Sequence, residues 1–188
     1  MKWLDFVILL VLFAALMTET ASATIVEQKR GPYDVNFDLT NTSTELNSSA
    51  SEWHKQSVSG RIILEYGDIY VIMKNKPEIC VANIHITHSD SGINVNSRGY
   101  AENLRDSGWE NVQTYSRTID GHDGIVTTGD SPNGSIYWAS YEVDSDTLVE
   151  IDSRMPMDKG TGDMLNTIHV GRMLLSYSSE NESVNSDL

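Results

Sequence analysis

The sequence predicts an α+β fold in which helices pack against an antiparallel β-sheet. Segments of alternating apolar and polar residues follow one another along most of the chain, separated by short turns rich in glycine, asparagine and aspartate. This pattern is typical of strands joined as antiparallel hairpins. Two segments, residues 98–107 and 163–174, have the longer apolar spacing of a helix. The expected architecture is therefore one sheet with two helices packed against it.

The first 23 residues predict export. Lys2 precedes an apolar run over residues 6–17, and Ala21 and Ala23 form a small-x-small site. Together these features are typical of a secretory signal peptide, here cleaved after Ala23. The apolar run is about a dozen residues long, whereas a membrane-spanning helix needs roughly 20. We expect a secreted or cell-surface protein; the alternative is an N-terminal helix that stays uncleaved and anchors the chain in the membrane.

The domain itself is predicted to span residues 24–175, with a polar acidic tail over residues 176–188. Residues 33–39 alternate apolar and polar side chains, which predicts a half-buried strand. Residues 40–51 are almost all Ser, Thr, Asn and Glu, and they predict a long flexible loop. Seven further strands are predicted from apolar and β-branched residues between turn signals: 61–66, 69–74, 78–87, 112–119, 125–128, 135–143 and 147–154.

The last of these strands has two faces of different polarity. Val149 and Ile151 lie on one face, whereas Glu150 and Asp152 lie on the other, because successive strand residues alternate in direction. We expect the apolar face to be buried and the acidic face to meet water.

Composition restricts the class of partner. The chain of 188 residues carries a formal net charge of −14 at pH 7. Such a field repels nucleic acid and anionic lipid, and it favours cations or basic partners. Nucleic-acid binding is therefore excluded. Cys80 is the only cysteine, so no internal disulfide can form. Its neighbours Ile79, Val81 and Ala82 predict that Cys80 is a small core residue.

Four Asn-x-Ser/Thr sequons are candidate N-glycosylation sites in an exported protein. Each lies in a polar, turn-like stretch of the sequence. Their acceptor residues are Asn41, Asn47, Asn133 and Asn181.

The loop over residues 120–124 is the candidate metal site. Asp120, His122 and Asp123 offer two carboxylates and an imidazole on a glycine-rich turn, a donor set that suits a hard cation or a transition metal. The same Asp-Gly pairs are also what a tight hairpin turn requires. His85 and His88 are three residues apart on one predicted strand, so we expect them to point to opposite faces.

No motif for enzymatic chemistry is present. The sequence has no nucleophile elbow, no His-Glu-x-x-His helix, no phosphate-binding loop and no dinucleotide fingerprint. A carboxylate pair for glycoside hydrolysis has no local spacing signature, so the many acidic residues permit it without indicating it. We therefore expect no enzyme and no cofactor. The aromatic residues of the hairpin region, such as Tyr137, Trp138 and Tyr141, are expected to divide between the core and an exposed face.

Three segments carry a resemblance to a known family. Residues 137–141 (Tyr-Trp-Ala-Ser-Tyr) form an aromatic strand, residues 151–156 (Ile-Asp-Ser-Arg-Met-Pro) a turn, and residues 165–170 (Leu-Asn-Thr-Ile-His-Val) a helix end. Over residues 97–170 this order resembles the PsbP-like group of exported domains. The resemblance implies an α/β/α sandwich and a non-catalytic binding or accessory role, and it carries over no catalytic residue. The acidity and the sequons are also similar to those of archaeal exported proteins.

The sequence thus leads to three functional hypotheses. The first is a non-catalytic binding or accessory domain at or outside the cell surface, with an unknown protein or glycan partner. The second is a metal-binding protein or hydrolase that uses Asp120, His122 and Asp123. The third is a structural component of the cell envelope held by the uncleaved N-terminal helix, the one case in which a membrane is a partner.

Overall fold

The computed structural model describes residues 23–48, 52–89 and 97–173. The expected signal peptide, apart from Ala23, lies outside these ranges, as do the expected tail and the sequon at Asn181. No helix within the described ranges is long and apolar enough to cross a membrane.

Strands in the described part of the chain form two antiparallel sheets. The smaller sheet consists of β1 (Ile25–Arg30), β2 (Tyr33–Asp38) and β11 (His169–Arg172), in that order. The larger sheet has eight strands: β3 (Thr44–Asn47), β4 (Trp53–Val58), β5 (Arg61–Met73), β6 (Lys76–Ser89), β7 (Glu110–Ile119), β8 (His122–Ser131), β9 (Gly134–Asp144) and β10 (Thr147–Ser153). Their order is β3-β5-β6-β10-β9-β8-β7, and β4 pairs with the same edge of β5 as β3 does.

The hydrophobic core lies between the two sheets. β2 points Tyr33, Val35 and Phe37 inward, and each is at most 1% exposed. They join one cluster with the inner face of the larger sheet, where directly paired residues point to the same side. The central row of that inner face is buried throughout and consists of Ile69, Ile84, Ile151, Ala139 and Val126.

Two short helices flank the sheets. α1 (Ser97–Asp106) contacts β7 and β8 and buries Ala101 and Leu104, and it ends before Gly108, which has a positive φ of 82°. α2 (Lys159–Leu165) begins after Asp158, whose side chain accepts a hydrogen bond from the backbone N–H of Thr161. The antiparallel sheet of the expected α+β fold is confirmed, whereas helices form only a small part of the described chain.

Several predicted elements are confirmed. The strand over residues 33–39 is β2, and the helix over residues 98–107 is α1. In β10, Val149 and Ile151 are buried, whereas Glu150 and Asp152 are partly exposed. In β2 and β10, apolar and polar residues alternate because one face of each strand lies on the core and the other faces away from it.

The prediction of two separate strands over residues 61–66 and 69–74 is wrong. β5 is a single strand of 13 residues. A turn is not needed there because the two halves of β5 pair with β4 and β3 along one edge and with β6 along the other. Gly67 instead makes room for the ring of Trp53, which a Cβ at this position would approach to 2.6 Å.

The predicted loop over residues 40–51 and the predicted helix over residues 163–174 also need correction. Part of that loop is β3, which pairs with the end of β5. The helix ends at Leu165, and β11 follows. Ile168 and Val170 are both buried, so this stretch alternates as a strand and pairs with β2.

Cys80 is not a core residue, since it is exposed. The pairing of β5 with β6 shifts register between Val71 and Ile72, and Cys80 lies opposite Ile72. The irregularity turns Val81 and Ala82 into the protein, where both are about 1% exposed, and leaves Cys80 outside.

Candidate functional site

The face of the larger sheet that points away from the core, called here the outer face, carries two neighbouring rows of polar side chains. Each row runs across β5, β6, β10 and β9 through directly paired residues. The first row is Asp68, His85, Glu150 and Ser140. The second row is Tyr70, Asn83, Asp152 and Trp138. Directly paired residues lie about 5 Å apart at their Cβ atoms, so the two rows form one continuous surface.

Six of these residues form what we call the outer-face patch. They are the members of the two rows other than Tyr70 and Trp138: Asp68, Asn83, His85, Ser140, Glu150 and Asp152.

One end of the patch is an internally satisfied ion pair. His85 Nδ1 donates to Asp68 Oδ1 at 3.0 Å, and the side-chain amide of Asn83 donates to the same oxygen at 2.9 Å. The hydroxyl of Thr87 is hydrogen-bonded to His85 Nε2 at 2.9 Å. The hydrogen bond from His85 lowers the pKa of Asp68, and the same bond raises the pKa of His85. This pair is therefore held in its charged form.

The other end of the patch contains two carboxylates of a different kind. Burial raises the pKa of Glu150 and of Asp152, and His85 lowers the pKa of Glu150 only in part. Arg154 is the first opposing influence on the pKa of Asp152, but its guanidinium lies over the ring of Trp109, 5.3 Å from the ring centroid. Among the described residues, neither carboxylate forms an ion pair within 4.0 Å.

Two buried polar atoms beside these carboxylates have no hydrogen-bond partner in the described ranges. They are Ser140 Oγ and Asn83 Oδ1. Ser140 is directly paired with Glu150 and is only 2% exposed, and Asn83 is directly paired with Asp152. A buried polar atom without a partner is rare in folded proteins and calls for an explanation. Both atoms belong to residues that neighbour the carboxylates on the same face of the sheet.

Aromatic rings border the patch on two sides. On the β5 side, His54 stacks on Tyr66 with ring centroids 5.0 Å apart, and Tyr66 lies 6.3 Å from His85. On the β9 side, Tyr100 of α1 stacks on Trp138 at 4.6 Å. Trp138 and Tyr141 lie on opposite faces, as predicted, with Tyr141 in the core cluster. The patch is thus a polar strip between two aromatic pairs.

The predicted metal ligands in residues 120–124 are not brought together. Asp120 Oδ2 accepts hydrogen bonds from the backbone N–H of Val170 at 2.9 Å and from the hydroxyl of Tyr141 at 3.2 Å. His169 Nδ1 donates to Asp120 Oδ1 at 2.6 Å. His122 stacks instead on Tyr141, with ring centroids 5.6 Å apart, and Asp123 is exposed. The hydrogen bonds of the Asp120 carboxylate therefore stabilise the fold.

A different group of metal-type ligands occurs at one end of the inner face. His88, Asp144 and Asp146 each offer a ligand atom, and these atoms lie within 4.8 Å of one another; among the described residues they form the one such group of three. Competing contacts surround it. His88 Nδ1 is hydrogen-bonded to Thr147 Oγ1 at 3.2 Å, and Arg172 lies 3.5 Å from Asp144. His85 and His88 point to opposite faces, as expected from their spacing.

The sequons differ in accessibility. Asn41 and Asn133 are exposed in turns, and Asn41 has a positive φ of 61°. Asn47 lies within β3 and is partly buried. Glycan attachment would therefore meet least obstruction at Asn41 and Asn133.

The outer-face patch was not predicted from the sequence. Its residues come from four strands, and their juxtaposition depends on the register of two hairpins and of the long-range pairing between β6 and β10. The available signal was a pair of polar residues that alternate with buried apolar residues in each of two strands, Asn83 and His85 in β6 and Glu150 and Asp152 in β10.

No protein-family model matches the chain, and no curated protein or solved structure matches it either.

Proposed function

We propose that the chain is an exported, non-catalytic binding domain whose ligand docks on the outer-face patch. One observation supports this most directly: among the residues that the structure describes, two partly buried carboxylates without ion-pair partners lie beside two buried polar atoms without hydrogen-bond partners. Such groups lower the stability of a fold that keeps them unsatisfied. A ligand that supplies their partners removes this penalty, so the arrangement suits binding.

The spacing of the patch favours binding over nucleophilic catalysis. His85 and Ser140 belong to the same row but are separated by Glu150 on the strand between them. Two strand spacings amount to about 10 Å, which is beyond hydrogen-bond reach. His85 therefore cannot act as the base that activates the Ser140 hydroxyl.

The export and the family resemblance remain parts of this proposal. The N-terminal pattern and the acidic composition support a secreted or cell-surface location. The antiparallel sheet with α1 packed on its outer face supports the PsbP-like resemblance. N-terminal sequencing of native protein separates a secreted chain from an anchored one, since a chain that begins at Thr24 has lost residues 6–17.

Affinity capture tests the binding function. The purified protein serves as bait for culture and envelope fractions, in parallel with a variant carrying Glu150→Gln and Asp152→Asn. The matched control carries Glu27→Gln and Asp123→Asn, which removes the same charge from exposed positions on β1 and β8. We expect a protein or glycan retained by the wild type and the control but lost from the patch variant. Equal retention by all three would place binding elsewhere.

A second candidate function is divalent-cation binding by His88, Asp144 and Asp146. The proximity of their ligand atoms favours it, and one imidazole with two carboxylates is a donor set for transition metals. Metal analysis of protein purified without chelator tests this candidate. A stoichiometric ion that is lost in His88→Gln and kept in His122→Gln would support it. Metal-free wild-type protein that also fails to bind added zinc would exclude it.

A further inference from the structure

We infer that the outer-face patch binds a protonated amine, so that its ligand is a cationic group with several N–H donors. This inference rests on the proposed binding function of the same patch. It follows from the hydrogen-bonding groups left open, from the charge balance and from the surroundings of the patch.

The groups of the patch that lack a partner among the described residues are mainly hydrogen-bond acceptors. The carboxylates of Glu150 and Asp152 can only accept hydrogen bonds when ionised. The side-chain amide of Asn83 already donates to Asp68 at 2.9 Å, which fixes its orientation and leaves the carbonyl oxygen as the open atom. The buried hydroxyl of Ser140 can accept as well as donate. A ligand group that satisfies the two carboxylates and the Asn83 carbonyl must therefore supply donors.

The charge balance favours donors that are positively charged. The three carboxylates of the patch outnumber the cationic side chains near them. His85 is paired with Asp68, and the guanidinium of Arg154, which lowers the pKa of Asp152, lies over the ring of Trp109. Within the described ranges, no Lys or Arg forms an ion pair with Glu150 or Asp152. Hydrogen bonds between an ammonium group and carboxylates are roughly twice as strong as neutral ones. The net charge of −14 further attracts a cation to this surface.

The patch suits an organic cation better than a metal ion. A metal needs three or more ligand atoms close to one centre, and among the described residues only His88, Asp144 and Asp146 meet that requirement. The patch acceptors are instead spread over neighbouring strand positions, about 5 Å apart across strands and about 7 Å apart along a strand. The aromatic pairs His54–Tyr66 and Tyr100–Trp138 border this strip. Trp138 is only 6% exposed, so Tyr66 and Tyr100, which are partly exposed, are the rings that can pack against the methylene stem of an amine.

Titration of the ¹⁵N-labelled protein, followed by NMR, tests the inference. The probes are butane-1,4-diamine, representing a free amine, and Nα-acetyl-lysine methylamide, representing a lysine side chain of a partner. Their neutral counterparts are butane-1,4-diol and the Nε-acetylated lysine compound. We expect saturable shifts of β6, β9 and β10 amides with at least one cationic probe and none with its neutral counterpart.

The variants locate the effect. Glu150→Gln and Asp152→Asn should each weaken binding of the cationic probe by about tenfold or more, since hydrogen bonds to charged groups contribute about 1.5–3 kcal/mol. Glu27→Gln should leave the affinity within about twofold, because it removes the same charge far from the patch. Retained spectra of the free variants exclude unfolding as the cause. The two cationic probes also distinguish the source of the amine. Tighter binding of butane-1,4-diamine indicates a free amine, whereas tighter binding of Nα-acetyl-lysine methylamide indicates a lysine side chain of a partner.

The outcomes separate this inference from the proposed function. Equal shifts with a neutral counterpart, or no shifts with either cationic probe, would overturn the amine inference. If the affinity capture still depends on Glu150 and Asp152 in that case, the patch binds a ligand of another class and the proposed function stands. If the capture is also independent of these residues, both fail.

Discussion

The carboxylate of Asp120 accepts a hydrogen bond from the backbone N–H of Val170 at 2.9 Å, across 50 residues of sequence. Asp120 belongs to the turn between β7 and β8 of the larger sheet, and Val170 belongs to β11 of the smaller sheet. The same carboxylate holds the hydroxyl of Tyr141 and the ring of His169. One acidic side chain thus joins the two sheets at this end of the core.

The first prediction concerns Asp120→Ala. We expect a loss of about 2–4 kcal/mol in the free energy of unfolding, because the N–H of Val170 and the hydroxyl of Tyr141 would lose their charged acceptor inside the protein. The positive φ of 52° at Asp120 adds strain for alanine. Urea unfolding measures the change. The matched control is Asp123→Ala on the exposed part of the same hairpin, expected within about 0.5 kcal/mol of the wild type. Similar losses in the two variants would contradict the joining role.

The second prediction concerns the buried face of β10. Ile151 is 1% exposed in the central row of the inner face, so Ile151→Asp would place an unpaired charge in the core. We expect a loss of more than about 4 kcal/mol and failure to fold. Ile25→Asp is the control, because Ile25 is 63% exposed on β1. Circular dichroism of the two variants compares them. A folded Ile151→Asp protein would mean that the faces of β10 are exchanged.

The third prediction is a pH dependence of the stability that Asp68 and His85 supply. The raised pKa of His85 gives stability that is full below its unfolded value near 6.5 and lost as the pH rises through the folded pKa. The lowered pKa of Asp68 gives stability that is present above its unfolded value near 3.9 and lost as the pH falls through the folded pKa. The difference between wild type and Asp68→Asn should therefore be largest at about pH 5.

Urea unfolding of both proteins from pH 3 to pH 9 measures this difference. Glu150 and Asp152 also face His85 and titrate in the acidic part of this range, but both are present in the two proteins compared. Asp123→Asn, an exposed change of the same type, should give no maximum. A difference that is independent of pH would show that Asp68 and His85 are not coupled.

The fourth prediction is a gain in stability when the open carboxylates are neutralised. Burial raises the pKa of Glu150 and of Asp152, so the folded state disfavours their charged forms. This penalty is absent below the unfolded values near 4 and grows as the pH rises. Glu150→Gln and Asp152→Asn should each stabilise the protein at pH 7 by about 0.5 kcal/mol, a small value because both groups are partly solvated.

Thermal or urea unfolding at pH 7 and pH 3.5 checks this gain, which should disappear at the lower pH. The Glu27→Gln variant should show no gain at either pH. Loss of stability in both patch variants at pH 7 would mean that the carboxylates have stabilising partners. If the same variants also bind the amine more weakly, the two carboxylates destabilise the free protein and contribute to ligand binding.

The predictable part of the fold is the part in which one strand face is apolar and the other polar. In β2 and β10 the alternation reports the core directly. β4 carries no such signal, because its sequence Trp-His-Lys-Gln-Ser-Val is mostly exposed and is held by backbone pairing to β5. The apolar residues Met164, Leu165 and Ile168 have helical spacing, so the pattern predicts a helix that continues through the residues of β11. Pairing with β2, which the spacing does not report, decides the outcome.

The candidate site cannot be predicted from the sequence because it too depends on how the strands pair. Glu150 and Ser140 are neighbours only because β9 and β10 pair in one register, and His85 joins them through the register of β6 with β10. A shift of one residue in either pairing would move these side chains to the other face. The Asp120 turn, by contrast, was visible in the sequence, but its hydrogen bonds to β9 and β11 were not.

Cys80 offers a practical consequence. As the single cysteine of the chain, exposed on β6, it can take a fluorophore or a spin label without any engineered mutation. Partial burial raises the pKa of its thiol, and Asp152 adds to the shift, so maleimide labelling should accelerate in mildly alkaline buffer. Because Cys80 lies close enough to Asp152 for the carboxylate to affect its thiol, we expect the signal of a label on Cys80 to change when a ligand binds the patch. The wild-type protein, labelled at this position, could then be used to measure binding directly.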